Sequence, residues 1–223
     1  MRRFLTAAVR RLHWKSKMEL IFSSIFETNA WSRDGSESVS GPGSEGLNVT
    51  AIKRELPSLL KDLRVGTMLD VPCGDFNWMK EVQLSLEQYI GADVVSAVIH
   101  RNRKLYGRPN RQFKILDITK SNLPHVDLIL CRDCLVHFSY QHIHAAFKRF
   151  KESGSSYLLT TTFTNPRENI DIETGEWRTL NLQKSPFSLP APLRVISDEY
   201  VGEGGVYKDK KLGLWKVSDL GVS

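Results

Sequence analysis

The chain has 223 residues, 41% of them apolar, and a formal net charge of +6. That length suits a single domain with a sizeable core, and no apolar run approaches the ~20 residues needed to span a bilayer. The charge excess is local: residues 1–18 hold Arg2, Arg3, Arg10, Arg11, Lys15 and Lys17 and no acid, and the rest of the chain carries 25 bases against 25 acids, so the main body has no basic footprint and no nucleic-acid partner is expected.

Residues 1–18 read as a basic arm. Phe4, Leu5, Ala8, Val9, Leu12 and Trp14 can share one side of an amphipathic helix. An arginine-rich, acid-free arm fits a solvated or domain-packing helix, a peripheral contact with anionic lipid, or a transit peptide. The three cysteines, Cys73, Cys131 and Cys134, read as free thiols in a reducing compartment, so the expected location is cytoplasmic, or organellar if the arm is a transit peptide. Asn48-Val49-Thr50 matches a glycosylation acceptor pattern that has no meaning in that setting.

Residues 19–223 read as one domain. Residues 19–31 predict a helix with Leu20, Ile21, Ile25 and Phe26 inward. The Ser- and Gly-rich stretch 33–46 fits either a flexible linker or a loop that folds over a ligand, and Trp31 just before it favours the loop, with Ser44 among its hydroxyl donors. A helix over 49–63 follows, with Pro57 as a kink or break. Strands are then expected at 68–71, 89–95, 113–118, 126–131 and 157–163, with helices at 76–82, 97–106 and 143–151 between them. This alternation implies an α/β fold with a doubly wound, mostly parallel sheet, and runs such as VDLILC fit strands buried on both faces. The segment 165–192 lacks periodic structure, which in a compact domain points to a functional loop. Strands are expected at 193–200 and 212–217, joined through a Gly-rich connection.

Three acids, Asp70, Asp93 and Asp117, fall near the ends of three successive strands, 23 and 24 residues apart. In a parallel sheet those ends share one edge, where ligands bind. Asp93 is placed to accept hydrogen bonds from a ribose diol, with Val94 beside it. Asp117 and the Ile118 backbone are placed to meet an adenine edge. Between the first strand and the next helical segment, TMLDVPCGDFNW makes a tight turn around Gly74.

That turn resembles motif I of the class I S-adenosylmethionine (SAM)-dependent methyltransferases, with Gly74 at the middle glycine and Pro72 and Phe76 at the outer ones. Asp93 and Asp117 resemble motifs II and III, and LPHVDLILCRD resembles motif IV. The resemblance covers about residues 65–163. It implies a Rossmann-like fold closed by a C-terminal antiparallel hairpin, with cap helices and the Gly/Ser loop in 19–64, the SAM-binding core in 65–163, and the acceptor loop and hairpin in 164–223. It implies SAM as cofactor, held by Trp31, Ser44, Asp70, Cys73, Gly74, Asp93, Val94, Asp117, Ile118, Cys131 and Arg132. For the SAM carboxylate, Arg132, Arg33 and the serines of 36–44 are candidates.

A methyltransferase acting at oxygen needs a base beside the acceptor. Asp133 and His137 in CRDCLVHFS are the candidates, with Asp133 alternatively orienting the SAM amino group or the acceptor. The expected acceptor is a small molecule or a glycan, since residues 165–192 mix polar groups with Trp177. No Asn/Asp-Pro-Pro-aromatic motif of nucleobase amine methylation is present. Two other readings share the geometry: a SAM-binding module without turnover, and a nicotinamide-dependent enzyme, which Pro72 and Phe76 disfavour because a pyrophosphate needs glycines there. A zinc site from the three cysteines and His137 requires all four to converge, and no metal is expected.

Overall fold

A computed structural model describes residues 16–31, 38–165, 168–198 and 206–221. Most of the arm, Arg33, Ser36, Arg167 and the Gly-rich connection at 202–205 lie outside the described residues. The helices are α1 (Lys17–Glu27), α2 (Thr50–Asp62), α3 (Ser96–Tyr106) and α4 (Tyr140–Glu152). The strands are β1 (Thr67–Asp70), β2 (Gln88–Asp93), β3 (Arg111–Ile115), β4 (Leu128–Cys131), β5 (Tyr157–Phe163), β6 (Arg194–Ser197) and β7 (Lys210–Lys216). Among the described residues they form one sheet in the order β3-β2-β1-β4-β5-β7-β6, in which β7 enters antiparallel between β5 and β6. The expected doubly wound, mostly parallel sheet with a closing antiparallel pair is the architecture found.

The sheet's pleat divides its side chains between two cores. Leu69, Ile129, Cys131 and Leu158 point to the face covered by α4, whose Ile143, Phe147 and Phe150 are fully buried. Met68, Leu128, Leu130 and Leu159 point to the face covered by Ile52, Leu56, Leu59 and Leu60 of α2 and by Ile99 of α3. Alternate residues must face opposite sides of a sheet, so a strand covered on both faces is apolar throughout, as β4 is.

Several elements differ from the sequence expectation. The helix expected over 76–82 is only a short 3₁₀ turn, Met79–Glu81. Pro57 does not break α2; it sits inside the helix. The structure puts residues 17 and 18, read as part of the arm, into α1, because Ser16 caps that helix by accepting the Glu19 N–H at 3.0 Å. Leu20, expected inward, is exposed, and Met18 is buried in its place. β3 ends at Ile115, so Asp117 belongs to the following turn and not to the strand.

Candidate functional site

The turn after β1 owes its shape to two residues in left-handed backbone. Gly74 has φ +52, and a Cβ there would collide with the Ser40 hydroxyl, so this position of the turn requires glycine. Phe76, with φ 61, occupies such a conformation despite its side chain. Its ring is fully buried against Tyr89, Tyr106 and Phe113, with centroids 5.4, 5.1 and 5.3 Å away. That packing offsets a backbone cost of roughly 1–2 kcal/mol, which is how an aromatic residue stands where the related motif has glycine.

The segment 38–44 is strapped over this turn. The Asp75 N–H donates to Ser40 Oγ at 3.0 Å, and the Val39 N–H donates to the Asp75 carboxylate at 3.0 Å. Over residues 38–44 the stretch is a loop packed on the turn.

Beneath the strap, a first cavity runs along the carboxyl ends of β1, β2 and β4. Asp70, Cys73, Gly74, Asp93, Val94, Asp117, Ile118, Arg132, Ser44 and Trp31 all line it, as do Asp133 and His137. Phe22, Ile25 and Phe26 of α1 form its lid. Cys131 is the one expected cofactor residue outside it: alternation along β4 turns its side chain into the core beneath α4, where it is wholly buried. Among the described residues no three His, Cys, Asp or Glu side chains group to hold a metal ion.

The first cavity is rich in buried carboxylates. Asp93 accepts the Val95 N–H at 2.9 Å and the Gly74 N–H at 3.2 Å, yet burial pushes its pKa up to about 6. Burial raises Asp70 to about 7, against the lowering effect of a short hydrogen bond from the Tyr89 hydroxyl and of Arg132. Burial likewise pushes the Cys73 thiol up, so it stays neutral. Asp117 accepts from the backbone N–H and hydroxyl of Thr119 at 2.9 and 2.6 Å.

These shifts set a pH dependence of stability. Asp70 and Asp93 have folded-state values above their unfolded ones, so their contribution is complete below about pH 4 and is lost as pH rises through about 6 and 7. The protein free of ligand is therefore expected to melt at a higher temperature at pH 5.5 than at pH 8. Asp70→Asn should flatten that slope in a thermal melt across this range; an unchanged slope would show that Asp70 does not titrate there.

At the end of β4 the chain builds a compact charge cluster. Arg132, 6% exposed, pairs with Asp198, 1% exposed, through Nε at 3.0 and 3.1 Å and through a second nitrogen at 2.9 Å. It also donates to the Gly43 carbonyl at 2.8 Å and lies over the Trp78 ring. Lys210 bridges Asp133 at 2.7 Å and Asp198 at 3.0 Å. Arg132 is thus committed to Asp198 and the strap, which leaves it little capacity for a SAM carboxylate. Burial alone would raise the Asp133 pKa, but Lys210 and Arg132 outweigh it and hold the carboxyl at about 2. Of the two candidate bases Asp133 is thus the weaker proton acceptor near neutrality.

His137 has the opposite character. Its Nδ1 lies 2.8 Å from the Glu176 carbonyl. A carbonyl can only accept, so Nδ1 carries the proton and Nε2 keeps a lone pair. The ring stacks on Trp31 with centroids 4.5 Å apart. Burial lowers its pKa below the ordinary histidine value, with the Glu176 carbonyl and Asp133 opposing and Arg178 and Lys210 assisting. Arg178, buried, holds the turn that carries His137 by donating to the carbonyls of Leu135 at 2.9 Å and Phe138 at 2.8 Å.

A second cavity adjoins the first. It shares Trp31, Ser40, Asp133 and His137 with it and adds Gly41, Pro42, Gly43, Phe163, Trp177, Tyr207 and Lys210. Asp198, Lys210, Tyr207 and Phe163 were not candidates from the sequence. Lys210 lies in the run KDKK, which reads as a solvated face; only the pairing of β7 with β5 singles it out for burial.

No protein-family model and no curated protein matches this chain. Solved structures do. The N-methyltransferase NodS from Bradyrhizobium japonicum WM9, in complex with S-adenosylhomocysteine, is 13% identical with a TM-score of 0.58, over 87% of this chain and 97% of that one. The magnesium protoporphyrin IX methyltransferase from Synechocystis PCC 6803, with bound SAM, is 12% identical with a TM-score of 0.55, over 90% and 97%. The methyltransferase domain of bacterial CtHen1 is 15% identical with a TM-score of 0.54, over 77% and 100%. At these identities the likeness is one of architecture: the chain has the fold of the class I SAM-dependent methyltransferases.

Proposed function

We propose that the protein is a SAM-dependent methyltransferase acting at oxygen on a small-molecule or glycan-type acceptor. The observation that carries this reading is the junction of the two cavities: His137 lines both, and the Glu176 carbonyl at its Nδ1 leaves Nε2 unprotonated.

The residues of the first cavity suit SAM. Val94, Val98, Leu116 and Ile118 offer apolar walls for an adenine, and the Asp93 carboxylate suits the two donors of a ribose diol. Asp70, Asp75 and Asp93 favour a ligand with cationic groups, as SAM has in its sulfonium and ammonium. The same carboxylates would repel a dinucleotide pyrophosphate, and the Gly74 N–H that would cradle one already donates to Asp93. This disfavours the nicotinamide reading. Ser40 and Ser44 remain for the SAM carboxylate.

Bound SAM would supply an electrophilic methyl group on a sulfonium for transfer to the acceptor oxygen, with S-adenosylhomocysteine as the other product. His137 Nε2 takes the acceptor's hydroxyl proton. The Glu176 carbonyl fixes the tautomer that leaves Nε2 available, and Trp31 fixes the plane of the ring. Asp133, permanently ionised, stabilises the imidazolium that forms. The strap at 38–44 and Phe22, Ile25 and Phe26 of α1 cover part of the first cavity and would limit the access of water to the reacting groups.

Calorimetric titration with SAM, S-adenosylhomocysteine and NADH tests the reading. The two adenosyl ligands should bind and NADH should not. Asp93→Ala should weaken both by roughly 10- to 100-fold, the worth of hydrogen bonds to a charged group, with folding checked by thermal melt. Absence of adenosyl binding to the folded wild-type protein would sink the proposal. Binding without SAM consumption on any acceptor would leave the non-catalytic module.

A further inference from the structure

The second cavity is chemically polarised. Its polar side chains gather at one end: Ser40, Asp133 and His137 are shared with the first cavity, and Lys210 touches Asp133. The other side chains of the lining are mostly aromatic, with Trp31 at the junction and Phe163, Trp177 and Tyr207 beyond it. Trp177 and Tyr207 meet edge to face at 5.0 Å, and Phe163 lies 6.3 Å from Trp177 and 6.1 Å from Tyr207. Pro42 and the side-chain-free Gly41 and Gly43 complete the lining. Gly43 packs so closely that a Cβ there would lie 2.9 Å from the Asp133 carboxylate.

Resting on the methyl-transfer reading, we propose that this cavity takes a flat, uncharged aromatic ring bearing a hydroxyl, an acceptor of the phenol class. Three physical points select it. The charge cluster is internally balanced: Lys210 and Arg132 are matched by Asp133 and Asp198. An anionic acceptor would have to win Lys210 from both carboxylates. A cationic acceptor would face Lys210 and, beyond the junction, a sulfonium. A sugar carries hydroxyls around its whole rim, and each one buried without a partner is costly, whereas beyond the junction the side chains of this lining have only the Tyr207 hydroxyl and the Trp177 indole N–H as polar groups. A phenol-class ring instead places one polar group at the junction, within the reach of His137 Nε2 for its proton, and its apolar body against Phe163, Trp177 and Tyr207 in the stacked or edge-on arrangements such rings favour.

The test is a binding measurement that does not depend on turnover. The full chain, saturated with S-adenosylhomocysteine, is titrated in a calorimeter with 2-naphthol, methyl β-glucopyranoside and benzyltrimethylammonium at neutral pH. Saturable binding of 2-naphthol alone is expected. Trp177→Ala and Tyr207→Ala, both at positions with solvent access, should each weaken it by roughly two- to tenfold and leave S-adenosylhomocysteine affinity unchanged. Preferential binding of the glucoside or the ammonium, naphthol binding indifferent to both variants, or no binding of any probe to the loaded protein would overturn the phenol assignment and leave the cofactor reading intact. Failure of S-adenosylhomocysteine to bind would overturn both.

Discussion

Replacement of His137 by glutamine should lower kcat by about 10²- to 10⁴-fold, the usual worth of a positioned general base, with S-adenosylhomocysteine affinity unchanged. Glutamine keeps a donor for the Glu176 carbonyl but offers no group that can accept a proton and hold it. The wild-type pH profile carries a matching signature. The base must be neutral to act, so kcat falls as pH drops through the His137 pKa. Burial holds that value below the ordinary histidine range, so the limb should lie on the acid side of it. Asp93, raised to about 6 by burial, titrates nearby, but its protonation weakens cofactor binding and is therefore removed from kcat by saturating SAM. Measuring kcat from pH 5 to 8 at saturating SAM, in wild type and His137→Gln, separates the two. A variant that keeps wild-type kcat and profile would show that His137 takes no proton.

The second large effect concerns stability. Asp198→Ala removes a fully buried carboxylate that is paired with both Arg132 and Lys210. Two buried cations would then share Asp133 alone. Breaking a buried ion pair from one side costs about 3–5 kcal/mol, so Tm should fall by roughly 6–20 °C for a domain of this size. The loss arises from stranded charge, not from lost volume. Adding Lys210→Met to Asp198→Ala should therefore recover part of the fall, although each change alone is destabilising. A thermal melt of the two single variants and the double variant decides the matter, and simple additivity of the losses would refute the stranded-charge account.

Much of the fold was legible in the sequence because the dominant force is periodic. Apolar runs of strand length alternating with helical spacing require a doubly covered sheet, and acids near successive strand ends require a shared edge. Asp70, Asp93 and Asp117 could be singled out on that basis, and Gly74 and His137 from the turn and from the resemblance to the methyltransferase motifs; all line the first cavity. Where the sequence misled, the cause is a physical effect that acts across the fold. Cys131 lies in the right motif, but pleat parity along β4 turns it into the core. Asp133 and His137 stand side by side as candidate bases in the sequence, and only β7 distinguishes them by bringing Lys210 to within 2.7 Å of Asp133.

The sequence by itself determined the sheet, its parallel character, the edge that carries the site and the carboxylates along it, because each follows from local periodicity and chain direction. Tertiary structure alone decided the charge pairing of Asp133, the tautomer of His137 and what lines the second cavity. Those properties depend on contacts between residues distant in the chain, such as His137 with Glu176, Asp133 with Lys210, and Trp177 with Tyr207. Burial and charge pairing are set by such contacts, and no local pattern encodes them.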